Sequence, residues 1–221
     1  FPTSNALQPS PAGSWDGFVT QLAPAAPGTI GPGDVVLYSR DAITVAGGWT
    51  FQEDANAAGG ERLRHRDAGA AKLTTALANP THYVEFRAGV VAELPYALWI
   101  RGKAEDDRFT NDSVFVQFSN AVSGDNPDEE PFPNYVYGIG TTSALDVVFE
   151  DCRGCGLDDW AWADAAYGFK RAGPPLTFDG DEVIIRIQTR EDGLAIDQVV
   201  LSSWTYQGGR FPGSARQDRI I

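Results

Sequence analysis

The sequence predicts an all-β fold, an antiparallel β-sandwich or barrel, and three observations carry that reading. Short apolar runs alternate with polar residues at the two-residue period of a strand. Most are separated by Gly, Pro, Asn and Asp, which mark turns; the chain holds 24 Gly and 14 Pro in 221 residues. Nothing in it reads as a long amphipathic helix.

The elements follow in order from residue 35. Val35 to Thr44 and Trp49 to Gln52 read as strands around an Ala46-Gly47-Gly48 turn, and His82 to Val91 as the next. In Tyr96 to Arg101, Tyr96, Leu98 and Ile100 take one face and Ala97, Trp99 and Arg101 the other. Ser113 to Phe118 sets Val114, Val116 and Phe118 against Phe115 and Gln117. Tyr135 to Ile139 and Leu145 to Phe149 come next. Val183 to Thr189 turns Val183, Ile185, Ile187 and Thr189 inward, and Leu194 to Leu201 closes the domain. Ala68 to Ala78 carries a weak helical signal, because Ala, Lys and Leu favour a helical turn or two.

Composition narrows the function. A net charge of −13 opposes nucleic acid, whose phosphates need Lys and Arg to replace counterions. It equally opposes anionic membranes, and it is compatible with calcium and with neutral sugars. No apolar run reaches the ~18 residues of a membrane span. The chain starts at Phe1 with no initiator Met, which reads as a processed end after signal removal and predicts a secreted, extracellular protein. Its two cysteines, Cys152 and Cys155, lie in Cys-Arg-Gly-Cys. A local disulfide is the leading reading, with free thiols and a metal as alternatives.

Four segments carry a family resemblance. They are Leu37-Tyr38-Ser39-Arg40-Asp41-Ala42; Tyr96 to Arg101 followed by Asn111 to Val116; Trp160-Ala161-Trp162; and Arg190-Glu191-Asp192-Gly193-Leu194-Ala195-Ile196-Asp197-Gln198-Val199-Val200-Leu201. The set resembles the galactose-binding-like β-jelly roll of non-catalytic carbohydrate-binding modules, over about three quarters of the chain. The resemblance implies a jelly-roll sandwich over 35–203, with extended segments at 1–34 and 204–221. It also implies a structural calcium held by two glutamates near the start and an aspartate of the last strand. Here Tyr38 and Arg40 stand in the glutamate places and Asp197 matches the aspartate. The expectation is therefore an Arg40–Asp197 ion pair in place of the metal.

Sugar binding by such modules needs an aromatic face plus groups that reach hydroxyls. The candidates are Trp160, Trp162, Tyr135, Tyr137, Trp49 and Phe132, with Asn111, Asp112 and Arg190; Trp99, mid-strand, reads as packing. The acidic loop Asp125, Asp128, Glu129 and Glu130 is a candidate calcium site, since that ion takes six to eight oxygens; no other cofactor is expected. Arg62-Leu63-Arg64-His65-Arg66 reads as a solvated strand edge or a contact for an acidic partner. Asn111-Asp112-Ser113 is a glycosylation sequon. Neither Gly-x-Ser-x-Gly nor His-Glu-x-x-His occurs, and the expectation is a protein that is not an enzyme.

The first 34 residues hold six prolines among Ala, Gly and Ser, which no central strand accepts. Extended, they would span about 110 Å, against roughly 40 Å for the domain. Trp15, Phe18, Val19 and Leu22 suit a donor strand that pairs with a neighbouring copy. Head-to-tail use of such a segment makes fibres where it does not close on itself. The leading expectation is a non-catalytic structural subunit of an extracellular fibre or surface assembly. The alternative is a carbohydrate-binding module partnered by polysaccharide.

Overall fold

Alternation along the strands builds two antiparallel sheets that share one apolar core. The computed structural model describes residues 33–122, 135–150, 157, 159–166 and 172–220. The strands are β1 (Val35–Tyr38), β2 (Ala42–Ala46), β3 (Trp49–Glu53), β4 (Glu61–His65), β5 (Tyr83–Gly89), β6 (Ala97–Ala104), β7 (Ser113–Phe118), β8 (Ala121–Val122), β9 (Leu145–Val148), β10 (Ala161–Ala163), β11 (Thr177–Phe178), β12 (Glu182–Thr189) and β13 (Leu194–Ser202). One sheet runs β2-β5-β12-β7-β9 and the other β10-β6-β13-β4-β3, with β8 and β11 a small separate pair. This is the jelly-roll sandwich that the sequence predicts.

The inward residues are those the period-two pattern selects. Val183, Ile185 and Ile187 of β12, Val114, Val116 and Phe118 of β7, and Leu98 and Ile100 of β6 all join the central core. Each such side chain contributes about 1.5–3 kcal/mol when fully buried.

Strand β13 organises the second sheet, and a bulge divides it. Its register against β6 slips by one between Ile196 and Gln198, leaving Asp197 as the extra residue. The slip reverses the inward parity: Leu194 and Ile196 face the core before it, Val199 and Leu201 after it. On its other edge, Ala195 and Ile196 pair with β4, and Gln198 to Leu201 pair with β1. Asp197 thus falls at the gap between β4 and β1. Bulges re-aim a side chain in this way.

The residues beyond β13 are laid over the outer face of this sheet. Trp99, Trp162, Val200, Tyr206 and Ile220 form a second apolar cluster there. Gln198 Nε2 donates to Ile220 O at 2.9 Å and Gln198 Oε1 accepts Ile220 N–H at 3.0 Å. Trp99 and Trp162 donate their indole N–H groups to Tyr206 O and Asp218 O.

Three local expectations fail. Ala68 to Ala78 is not helical; its backbone is instead drawn across the sheet end, with Ala68 and Ala70 N–H on Asp192 Oδ2, Leu73 N–H on Arg190 O and Leu77 N–H on Gln188 Oε1. Tyr135 to Ile139 is not a strand but a bend with two isolated bridges, broken where Tyr137 adopts φ 52°. The 62–66 run lies mainly in β4, which is paired on both sides rather than at an edge. Arg62 there reaches Asp54 at 3.1 Å, and Arg64 reaches Glu105.

Candidate functional site

A cleft of about 300 Å³ opens beside the edge strand β9. Asp146 and Val148 of β9, with Glu150 just past it, form one wall, and Ala165 and Ala166 beyond β10 form another. Lys72 comes from the segment after β4 and Arg190 from the end of β12. The cleft therefore sits where strand ends from both sheets and one long connection meet.

Its cations are anchored on a buried polar layer. Lys72 Nζ lies 2.6 Å from Glu191 Oε1. Ser113 Oγ donates to Glu191 Oε2 and accepts from Arg190 Nη1 at 2.9 Å. Arg190 also lies over the Phe115 ring, 5.6 Å to the centroid, with Nε 3.7 Å from Asp146 Oδ2. A guanidinium stacked and bonded in this way loses little freedom when it takes a ligand.

Under this layer lies Asp112, 1% exposed, with neither carboxylate oxygen partnered. Burial pushes its carboxyl up to about 8, and the neighbouring Glu191 and Glu150 carboxylates add to the shift, while Lys72 opposes it. Two carboxylates in contact cannot both stay ionised. A proton on Asp112 closes the Asp112–Glu191 contact, which bare carboxylates leave open.

The sequence-picked residues divide sharply. Arg190 lines the cleft. Trp49, Trp160 and Trp162 are 3%, 1% and 1% exposed, so none presents a ring face to a sugar. Trp160 and Trp162 do share a face, as read, but Trp162 is covered by the C-terminal segment and Trp160 packs on Ala57 and Ala195, under the Arg101 guanidinium. Trp49 stands edge-on to His65. Tyr137 packs partly against the core, and Tyr135 is exposed, its hydroxyl on Asp179 Oδ2 at 3.2 Å. Lys72, Asp146 and Glu150 are missing from the sequence reading, and Lys72 stood hidden in the Ala-rich segment read as helical.

Asn111 is 2% exposed and its amide donates to Asp67 Oδ2 and Glu105 O, each at 3.1 Å. Gly193, at φ 84°, leaves only 2.6 Å between a notional Cβ and this carboxamide. The sequon nitrogen is spent inside the fold, so the expectation of a glycan there is corrected.

The Arg40–Asp197 pair is corrected as well. Asp197 Oδ2 is paired by Arg101 and also accepts Ala58 N–H at 2.6 Å. Arg101 sits on β6 directly beside the bulge, whereas Arg40 turns outward to Gly59 O at 2.9 Å. Burial pushes the Asp197 carboxyl up to about 7, against the pull of Arg101.

His65 and His82, the two histidines of the chain, are joined at 2.8 Å, Nε2 to Nδ1. Gly48 N–H also donates to His82 Nδ1 at 3.0 Å, so His65 is the donor in the pair. Among the described residues no three metal-binding side chains converge. The candidate calcium residues Asp125, Asp128, Glu129 and Glu130 and Phe132 lie outside the described residues, as do Cys152 and Cys155 and the assembly candidates Trp15, Phe18, Val19 and Leu22.

No protein-family model and no curated protein matches the sequence. Among solved structures, the fold is similar to the Podospora anserina GH26-CBM35 β-(1,4)-mannanase, at 16% identity and a TM-score of 0.46 over 77% of this chain and 27% of that one. It is similar to the C-terminal CBM6 of LamC, a laminarinase of Zobellia galactanivorans, at 8% identity and 0.43, over 76% of this chain and 98% of that one. The family 35 carbohydrate-binding module of Clostridium thermocellum gives 11% and 0.40, over 76% and 98%. The likeness is one of architecture. No helix among the described residues is long and apolar enough to cross a membrane.

Proposed function

We propose that the chain is a non-catalytic carbohydrate-binding module of an extracellular protein, and that the cleft beside β9 takes the sugar. The observation that supports this is the wall itself: Asp146 and Glu150 supply acceptors, and Lys72 and Arg190 donors, around about 300 Å³. That volume is at the small end of ligand sites, roughly 300–1,000 Å³. Vicinal hydroxyls both donate and accept, and a paired acid and guanidinium answer them together. The jelly-roll architecture agrees with this reading.

The same geometry opposes hydrolysis. A glycosidase places two carboxyls about 5–9.5 Å apart, one of them with a raised pKa. The carboxyl with the strongly raised pKa, Asp112, is sealed below the cleft.

The test is retention in affinity gels cast with a panel of neutral plant, fungal and algal polysaccharides. The expected result is retardation by at least one of them, weakened at least ~10-fold in Arg190→Ala, the size of one charge-assisted pair. Migration unaffected by every glycan would overturn the reading, and so would an Arg190→Ala protein that is folded and equally retarded.

A further inference from the structure

A second cleft, of about 380 Å³, lies beside β1 and the turn before β4 and has a different charge. Tyr38, Arg40, Gly59, Gly60, Arg219 and Ile220 line it. Among the described residues no acid lines it, in a chain with 30 Asp and Glu against 17 Lys and Arg.

The two arginines are held without being neutralised. Arg40 uses Nη2 on Gly59 O, and its Cζ stands 5.9 Å from the Tyr38 ring centroid. Arg219 uses Nη1 on Ala55 O and Ala57 O, at 3.3 and 3.1 Å. Backbone carbonyls fix both groups, and among the described residues neither makes an ion pair. Each guanidinium carries five N–H donors, so most of both forks stay available.

Three of the nearby acids are engaged elsewhere. Asp197 is held inward by Arg101, Asp54 by Arg62, and Asp41 accepts Tyr38 N–H at 2.7 Å. The loop is shaped around this arrangement. A Cβ on Gly59, at φ 73°, would come within 2.2 Å of Arg40 Nη2 and push it aside; Gly60, at φ 80°, has open space over it. A Gly-Gly step therefore seats one arginine and leaves room above the floor.

From this cleft we infer a second binding site, for the carboxylate or sulfate of an acidic sugar. Paired guanidinium forks suit a planar or tetrahedral oxyanion by bidentate bonds. The ligand must be sparsely charged, because a net charge of −13 repels dense polyanions such as nucleic acid. The volume admits a sugar ring rather than a free ion alone. The site shares no residue with the cleft beside β9, so it extends the carbohydrate reading without depending on Arg190.

Calorimetry of the intact chain tests it, with methyl glucuronide, glucose 6-sulfate, methyl glucoside and inorganic sulfate as probes. The expected result is binding of one or both acidic sugars, at least ~10-fold weaker in Arg40→Ala and in Arg219→Ala, and unchanged in Arg190→Ala. Gly59→Ala, which displaces Arg40, is expected to weaken it as well, and added salt to weaken it progressively. The acidic sugar that wins names the source of the anion. Equal affinity for inorganic sulfate and both acidic sugars would overturn a sugar site. So would equal affinity for methyl glucoside, or no heat from any acidic probe with a folded protein. Loss of neutral-polysaccharide retention with acidic-sugar binding intact would remove the first cleft only.

Discussion

Two buried carboxyls, Asp197 and Asp112, meet the same desolvation with opposite answers. Both are 1% exposed, and burial pushes them up to about 7 and about 8. Asp197, aimed by the bulge of β13, is answered by a guanidinium from the adjacent strand and a backbone N–H. Asp112, just before β7, meets a second acid, Glu191, whose carboxylate adds to the upward shift. In the first region the charge is kept and paired, and the arginines outside it stay free of acids. In the second the charge is removed by protonation, and the cations of the cleft are anchored on Glu191 and Ser113. Burial alone does not fix a site's electrostatics; the nearest partner decides whether a cation or a proton balances the acid.

Removing the cation of the first region should have the largest effect. Arg101→Ala strips Asp197 of its counter-charge, and a broken buried pair costs about 3–5 kcal/mol. The loss should be near its full size at pH 8 and smaller at pH 5, where Asp197 can take a proton instead. Urea melts at both pH values check this. An equal loss at both would mean that Arg101 acts through packing on Trp160 and Gln217 O rather than through charge.

Removing the charge of the second region should do the reverse. Asp112 binds its proton more tightly folded than unfolded, at about 8 against 3.8. Its contribution is therefore fully present below pH 3.8 and is lost as pH rises through about 8. Asp112→Asn keeps the shape without the charge. It should be near neutral at pH 4 and stabilising by up to about 5 kcal/mol at pH 8.5, about 1.4 kcal/mol for each pH unit between the two values. A variant destabilised at pH 8.5 would show that the ionised carboxylate is wanted there.

How far these centres could be read from sequence follows from what period-two alternation encodes. It identifies the inward set of β7 and β12, and it puts Trp160 and Trp162 on one face. It does not say whether that face meets water, because the C-terminal segment that covers it has no strand pattern. Asp197 was legible as a special residue of the last strand, but its partner was not. The single-residue slip at the bulge brings it to Arg101 on the neighbouring β6, while Arg40, nearer by analogy, is turned out by the short turn that follows β1. Asp112 read as a hydroxyl-seeking group of a sequon, since nothing local shows that Glu191 arrives from the β12–β13 turn. Contacts made across sheets by strand ends leave no periodic trace.

The smallest expected effect sharpens the comparison most. Lys72 is half-exposed, its side chain 48% accessible, while Glu191 beneath it is buried. Water can replace the ammonium at the cleft mouth, so Lys72→Gln should cost no more than about 1 kcal/mol at neutral pH. Lys72 does, however, hold the Asp112 carboxyl below where burial and Glu191 would set it. The substitution should therefore move the alkaline loss of stability to higher pH, and the shift should vanish in Asp112→Asn. Stability curves from pH 5 to 9.5 for the two single variants and the double would show it. A shift that survives in the double variant would assign the titration to another group and dissolve the contrast with Asp197. A shift confined to the single variant would make Lys72 the outer counter-charge of a proton-sharing acid pair, as Arg101 is the inner counter-charge of a single acid.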